Sequence, residues 1–307
     1  MLDIVGKRYF FFGLSLLVII PGMIALIVWG MPLSIDFTGG SLLEIKFNSG
    51  TAPEPSQVIA LYDSHGYPDS QVQTSQKDTL IIRSKSMEDA TKTTLVNEMS
   101  KQFNSQITIL SFTSVGPSVG QEVTRTAGYA VIAAAVFIMG YITLAFRGVQ
   151  HAFRYGVSAV IAMLHDILVV VGIEALLGHF LGWEADALFL TALLTVIGFS
   201  VHDTIVVFDR IRENANVHRR IPYETMVNHS IVQTLDRSIN TQLTVMITLL
   251  SLALFGGTTT RHFVTILLIG VFSGTYSSIF NAASILVVWE NRDWRNWFRR
   301  KDTEALA

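Results

Sequence analysis

Four ionisable side chains lie inside apolar runs of this chain, and each could hold or pass on a proton. Asp203 falls in "IGFSVHDTIVVFDRIREN" (Ile197 to Asn214) with His202 directly before it, and His165 and Asp166 fall in "AMLHDILVV". A charged group at the centre of a membrane helix costs roughly 2.5–3.5 kcal/mol on insertion scales, so such residues need polar company and are usually put to use. The next apolar run supplies a partner, because "LDRSINTQLT" brings Arg237 to about the depth of Asp203. A proton arriving at Asp203 would weaken its pairing with Arg237, and the proton's departure would restore it. The pair would then be a two-state switch driven by protons. The alternative is a static buried pair that fixes helix register. His202 is either a relay member or a hydrogen-bond donor to a nearby carbonyl, and His165 with Asp166 is either a structural pair or part of the relay.

These readings require a membrane, and the composition supplies one. Half of the 307 residues are hydrophobic and 15% are charged, against about 25% charged in soluble domains. The apolar residues gather into six runs, near Tyr9–Gly30, Thr126–Phe146, Phe153–Leu177, Ala187–Phe208, Arg237–Phe255 and His262–Trp289, each long enough to cross a hydrocarbon core. The first is too long for a signal-peptide core, and no small-x-small site follows it.

Lys and Arg in the short loops set the orientation. Lys7 and Arg8, Arg147 and Arg154, Arg210 to Arg220, and Arg292 to Lys301 fall on one side of a six-span chain, whereas "GHFLGWEAD" on the other side carries only acidic charge. Both termini are therefore expected to be cytoplasmic. The net charge of −2 conceals this asymmetry. The absence of cysteine excludes disulfides, thiolate metal sites and thiol nucleophiles.

Four parts are expected: 1–30 with the first span, a soluble segment at 31–124 outside the cytoplasm, spans two to six at 125–290, and a basic cytoplasmic tail at 291–307. In the soluble segment "SLLEIKF" alternates as a half-buried strand, and "SQVIALYDSHG" reads as a helix ending at Gly66. "SQVQTS", "DTLIIRS" and "ITILSF" are further strands. "SMEDATKTTLVNEMSKQF" reads as a helix with a capping box at Ser86 and Asp89. The order β-α-β-β-α-β is that of an α+β ferredoxin-like fold. The segment holds no metal-spaced His cluster, phosphate loop or nucleophile elbow, which favours a binding or levering role.

Two motifs bracket it: "SIDFTGGS", with Asp36, Gly39 and Gly40, and "SVGPSVGQE", with Gly116, Pro117 and Gly120. Both read locally as turns, the second breaking the exit from the last strand. In the fourth span Thr191, Thr195, Gly198 and His202 make a small and polar stripe expected to face neighbouring helices. Gly274, Ser278 and Ala282 in the sixth span predict close helix contact. Glu174 is expected at the outer interface, and Asp209, Arg210, Arg212 and Glu213 at a solvated helix end. The Trp/Arg-rich tail suits an interfacial anchor rather than nucleic acid.

"DFTGG", "VGPSVGQE", "LHD", "GFSVHDTIVVFDRIREN" and "QTLDRSINT" occur in this order, and together they resemble the SecF branch of the SecD/SecF protein-export family, related to the proton-driven resistance-nodulation-division transporters. The resemblance implies a non-enzymatic translocase subunit of the bacterial plasma (inner) membrane. Protons would be its coupling ion, with no cofactor or metal. SecD would be its partner in a heterodimer, and the SecYEG channel, YajC and YidC further partners, with an unfolded preprotein as cargo. The family's intramembrane aspartate maps to Asp203 and its essential arginine to Arg237. Asn commonly precedes that aspartate, whereas His202 stands here, so a titrating group or a replaced amide hydrogen bond are both open. Six spans look like half of a pseudo-symmetric transporter. A small-molecule exporter and a passive assembly factor are the rival readings.

Overall fold

The computed structural model describes residues 2–149, 151–217 and 220–293. The chain divides into two compact units, residues 33–129 and residues 1–32 with 130–307. The expected tail lies almost wholly outside the described residues.

In the first unit a four-residue helix α2 (Ile35–Thr38) follows α1 (Arg8–Trp29) and leads into β1 (Gly40–Phe47), α3 (Pro55–Ser64), β2 (Gln71–Gln76), β3 (Thr79–Ser84), α4 (Asp89–Gln102) and β4 (Ile107–Val115). The sheet order is β2-β3-β1-β4 with every pair antiparallel, as a split β-α-β fold requires. Leu43, Ile45 and Phe47 of β1 alternate onto a core with Leu80, Ile82, Tyr62, Leu95 and Met99, because successive strand side chains point to opposite faces. The capping box is not formed. α4 begins at Asp89 with Glu88 as its N-cap and no side-chain cap, and Ser86 Oγ instead lies 3.3 Å from Ser114 Oγ.

The second unit is a helical bundle. Among the described residues six helices are long and apolar enough to cross a membrane: α1, then α5 (Pro117–Ala145), α6 (Ala152–Leu181), α7 (Ala187–Val217), α8 (Tyr223–Phe255), and a last span made of α9 (Thr258–Tyr276), a π-helical stretch Ser277–Ala282 and α10 (Ala283–Asn291). α7 and α8 run beyond their apolar windows at the end that carries the basic residues. α1 buries its small residues Ser15, Gly22 and Ala25 and exposes Leu17, Ile20, Ile24 and Ile27. This polarity suits a hydrocarbon solvent, where packing rather than apolar burial drives contact. Gly22 meets Gly172 of α6 so closely that a Cβ on either would lie 2.8 Å from the other's Cα. The last span packs on α7 in the expected manner: a Cβ on Gly274 would stand 3.1 Å from Ser200 Cβ.

Candidate functional site

α7 presents one face to the bundle, with Ala192, Val196, Ser200, Asp203, Thr204 and Val207 buried. Thr191, Gly198 and His202 lie on the opposite, exposed face. The expected stripe is thus turned away from the helices of its own chain, because Ser200, Asp203 and Thr204 on the other face make the hydrogen bonds to α6, α8 and the last span.

Asp203 is 2% exposed. Gln242 Nε2 of α8 donates to its Oδ2 at 2.8 Å. The expected ion pair with Arg237 is not formed. Arg237 is exposed and lies five residues from Gln242, about 7 Å along the helix axis at 1.5 Å per residue. It remains in electrostatic range of Asp203, as does His202. Arg237 lines a cavity of about 230 Å³ between α7 and α8 with Val206, Arg210, Gln233 and Thr234. A shared depth was legible, but the rotation of α8 that turns Gln242 inward and Arg237 outward was not.

Asp166 sits in a different setting, fully buried and saturated. Its Oδ1 lies 3.0 Å from His165 Nδ1 and accepts from Ser273 Oγ at 2.8 Å, while Oδ2 accepts from Ser200 Oγ at 2.5 Å and Ser277 Oγ at 2.7 Å. His165 Nε2 continues to Ser15 Oγ at 2.9 Å, which Asn281 Nδ2 also reaches at 2.8 Å. α1, α6, α7 and the last span therefore converge on one carboxylate. A carboxylate has about four lone-pair sites, and here all are engaged. The π-helical stretch brings Ser277, Ser278 and Asn281 inward together. Ser278 Oγ donates to Ser200 O at 2.8 Å, which joins this network to the turn that carries Asp203.

Glu174, near the end of α6, is fully buried within the bundle, with His262 Nε2 3.0 Å from both its oxygens. Sequence reading missed this pair, as it missed Gln242 and the serines. The available signals were an amide inside "INTQLT" and a four-residue spacing in "FSGTYSS". Arg210 with Glu213 and Arg212 with Asp209 form ion pairs at the end of α7, and Arg210 Nε also donates to Gln233 at 2.6 Å.

The two glycine motifs meet within the first unit. Gly39 and Gly40 have φ of +74° and +130°, a region that glycine enters without steric cost. Gly120 lies inside α5 rather than breaking the chain, and a Cβ there would stand 2.7 Å from Gly39 N and 2.9 Å from Phe37 O. Pro117 opens the helix at its first position, where its missing N–H costs nothing. Asp36 is the second residue of α2, its N–H donating to the N-cap Ser34 Oγ at 3.2 Å. A Cβ on Gly116 would come no closer than 4.0 Å to a neighbouring heavy atom, so space does not demand glycine there.

Residues 95–292 match the family described as protein export membrane protein SecD/SecF, C-terminal, and residues 24–50 match the SecD/SecF GG motif. The protein translocase subunit SecF of Anaerolinea thermophila is 57% identical over the whole of both chains. The protein translocase subunit SecDF of Thermus thermophilus is 34% identical over 86% of this chain and 35% of that one. The crystal structure of SecDF, a translocon-associated membrane protein of Thermus thermophilus, superposes with a TM-score of 0.79 at 31% identity over 95% of this chain. This chain spans about two fifths of that solved chain (39%).

Proposed function

Because the chain belongs to the SecD/SecF protein-export family, we propose that it works beside SecD in the bacterial inner membrane, converting inward proton movement into late steps of preprotein translocation through SecYEG. The observation that carries this reading is the contrast between two buried carboxylates. Asp166 has every acceptor site filled, whereas Asp203 has, among the described residues, a single neutral amide as its hydrogen-bond partner, which leaves it room to take and release a proton. The membrane potential supplies about 2.3 kcal/mol per charge per 100 mV, enough to bias a two-state bundle. No covalent chemistry is required, and ATP hydrolysis belongs to another component.

With six spans, the end bearing Arg8, Arg147, Arg154 and Arg210 faces the cytoplasm under the positive-inside rule, which puts both termini there and the α/β unit outside. SecD is the partner because polar side chains of α7 and α8 remain exposed on this chain, with His202 on one and Arg237, Asn240 and Thr241 on the other. Lipid does not satisfy such groups, and a second six-span half would. The stretch of the SecDF relative that this chain matches is 35% of that protein, which leaves room there for such a half.

The deciding experiment replaces Asp203 by Asn. Secretion that depends on the proton gradient should be lost while protein level and SecD co-purification stay normal. Normal secretion would favour an assembly role, and drug hypersensitivity without a secretion defect would favour a small-molecule exporter.

A further inference from the structure

α7 and α8 are antiparallel neighbours whose register is set by Asp203 to Gln242 at 2.8 Å, Arg210 to Gln233 at 2.6 Å and Asn214 to Ser230 at 2.8 Å. Gln242, Ser238, Thr234 and Ser230 recur on α8 at four-residue intervals, which places them on one face, and they are 2%, 1%, 8% and 0% exposed. The polar cavity between the two helices reaches in as far as Val206 and Thr234. Val206 is one turn from Asp203, and Thr234 is two turns from Gln242. Ser238 and Gln242 are the polar side chains of α8's buried face that span the remaining distance.

Both carry a free hydrogen-bonding atom. Gln242 Oε1 and Ser238 Oγ are buried with no protein partner among the described residues. A partnerless buried polar group costs about 1–3 kcal/mol, so these two atoms call for a ligand. Thr234, Thr244 and Thr248 on the same helix all donate to backbone carbonyls, and Ser238 does not.

We propose that Gln242 and Ser238 form the gate of a half-channel through which Asp203 exchanges protons with the α7–α8 cavity. This rests on the proton-coupled reading above. Gln242 Nε2 orients Asp203 Oδ2. A water held between Gln242 Oε1 and Ser238 Oγ accepts the proton from the Asp203 carboxyl and releases one to cavity water, leaving the carboxylate. A serine hydroxyl both donates and accepts, so Ser238 can turn with the water as the proton passes. The charged and titratable groups around Asp203 are His202 on its own helix, Arg237 on α8 and, through Ser200, Asp166 of α6. From the last span, Ser278 reaches this turn through Ser200 O, and Thr275 and the titratable Tyr276 line an apolar cavity with Gln242. Asp209, Arg210 and Glu213 line the cavity with Arg237. Gln242 and Ser238 are positioning residues for the transfer.

The test uses the SecD-bound complex in proteoliposomes under an imposed proton gradient. Proton flux is followed with an internal pH dye, and the Asp203 carboxyl band, assigned by its loss in Asp203→Asn, is titrated by infrared spectroscopy. Ser238→Ala should slow flux about tenfold while the band still titrates, and Ser238→Thr should restore it. Gln242→Leu should move both the band and its titration midpoint. Wild-type flux in Ser238→Ala with an unmoved band in Gln242→Leu would overturn the gate, even where Asp203→Asn abolishes flux. Flux that survives Asp203→Asn would overturn the proton-coupled reading itself. Because Gln242→Leu could disturb packing, the Ser238 pair of variants carries the decision if that protein fails to fold.

Discussion

Gly120 of α5 rests against the backbone of Gly39, and a single Cβ on Gly120 would stand 2.7 Å from the Gly39 nitrogen. The contact joins the entry to β1 to the first turn of the helix that follows β4. Gly120→Ala is expected to destabilise the protein by about 1–3 kcal/mol, the usual cost of forcing atoms into a filled site. Gly128→Ala in the same helix meets nothing within 4 Å and should be neutral or slightly stabilising. Thermal unfolding of the two variants in detergent checks the difference, and equal midpoints would refute the close-contact role.

The Glu174–His262 pair ties α6 to α9. Removing one member of a buried pair leaves the other without compensation, at about 3–5 kcal/mol, whereas replacing both by apolar residues of similar volume is often near neutral. His262→Leu is therefore expected to lower stability sharply, and Glu174→Leu added to it should recover most of the loss. A double-mutant cycle on unfolding midpoints measures this. Additive losses would mean that the two side chains are not coupled.

Much of this architecture could be read from residue order, because a strand alternating at Leu43, Ile45 and Phe47 or a run such as Tyr9–Gly30 encodes its element locally. Asp203 could be singled out for the same reason, as a charge in an apolar run advertises itself. Its partner could not. Gln242 and Arg237 lie in one short stretch, and which of them points inward depends on the rotation of α8, set by distant contacts such as Arg210 with Gln233 and Asn214 with Ser230. Glu174 is a similar case: its position near a helix end says nothing of a partner, and only tertiary packing brings His262 over it. Gly120 looked like a chain breaker because its packing partner, Gly39, is distant in the chain.

Asp166 organises four spans through hydrogen bonds that a neutral amide can only partly reproduce. Asp166→Asn turns one acceptor oxygen into a donor, so two of the four groups facing it must reverse their hydrogen bonds or be left mismatched. Each mismatched buried group costs about 1–3 kcal/mol, so this variant should be markedly less stable than Asp203→Asn, which loses no acceptor site that the protein fills twice. Unfolding of both proteins under the same conditions decides it, and equal stabilities would remove the distinction between a fixed and an exchanging carboxylate.

In the α/β unit, Asp78 lies 3.3 Å from Lys46. Partial desolvation opposes ionisation of its carboxyl, but the Lys46 ammonium and the Thr79 hydroxyl outweigh it and hold Asp78 below its ordinary value. A carboxyl depressed by folding adds stability that is present above the ordinary aspartate range, about pH 4, and lost as pH falls through the folded value. Lys46→Met should flatten this part of the acid stability profile by lowering stability above the transition and leaving the acid end unchanged, a small loss because the pair is partly exposed to solvent. A profile with an unaltered acid limb in Lys46→Met would assign the depression to Thr79 instead.

Asp203 and Arg237 are neighbours through space without being bonded, while Asp203 and Gln242 share a hydrogen bond. Residues in direct contact show interaction energies of about 0.5–3 kcal/mol, and residues without shared partners add to within about 0.5 kcal/mol. The stability losses of Asp203→Asn and Arg237→Gln should therefore couple weakly, through charge alone, and those of Asp203→Asn and Gln242→Leu more strongly. If the first cycle is the more strongly coupled one, Arg237 rather than Gln242 holds the carboxyl in the resting protein. Arg237→Gln should still reduce gradient-dependent secretion, because the guanidinium lines the cavity and sets the field through which a proton leaves. Loss of secretion with a weakly coupled stability cycle is the combination expected of a cation that acts at a distance.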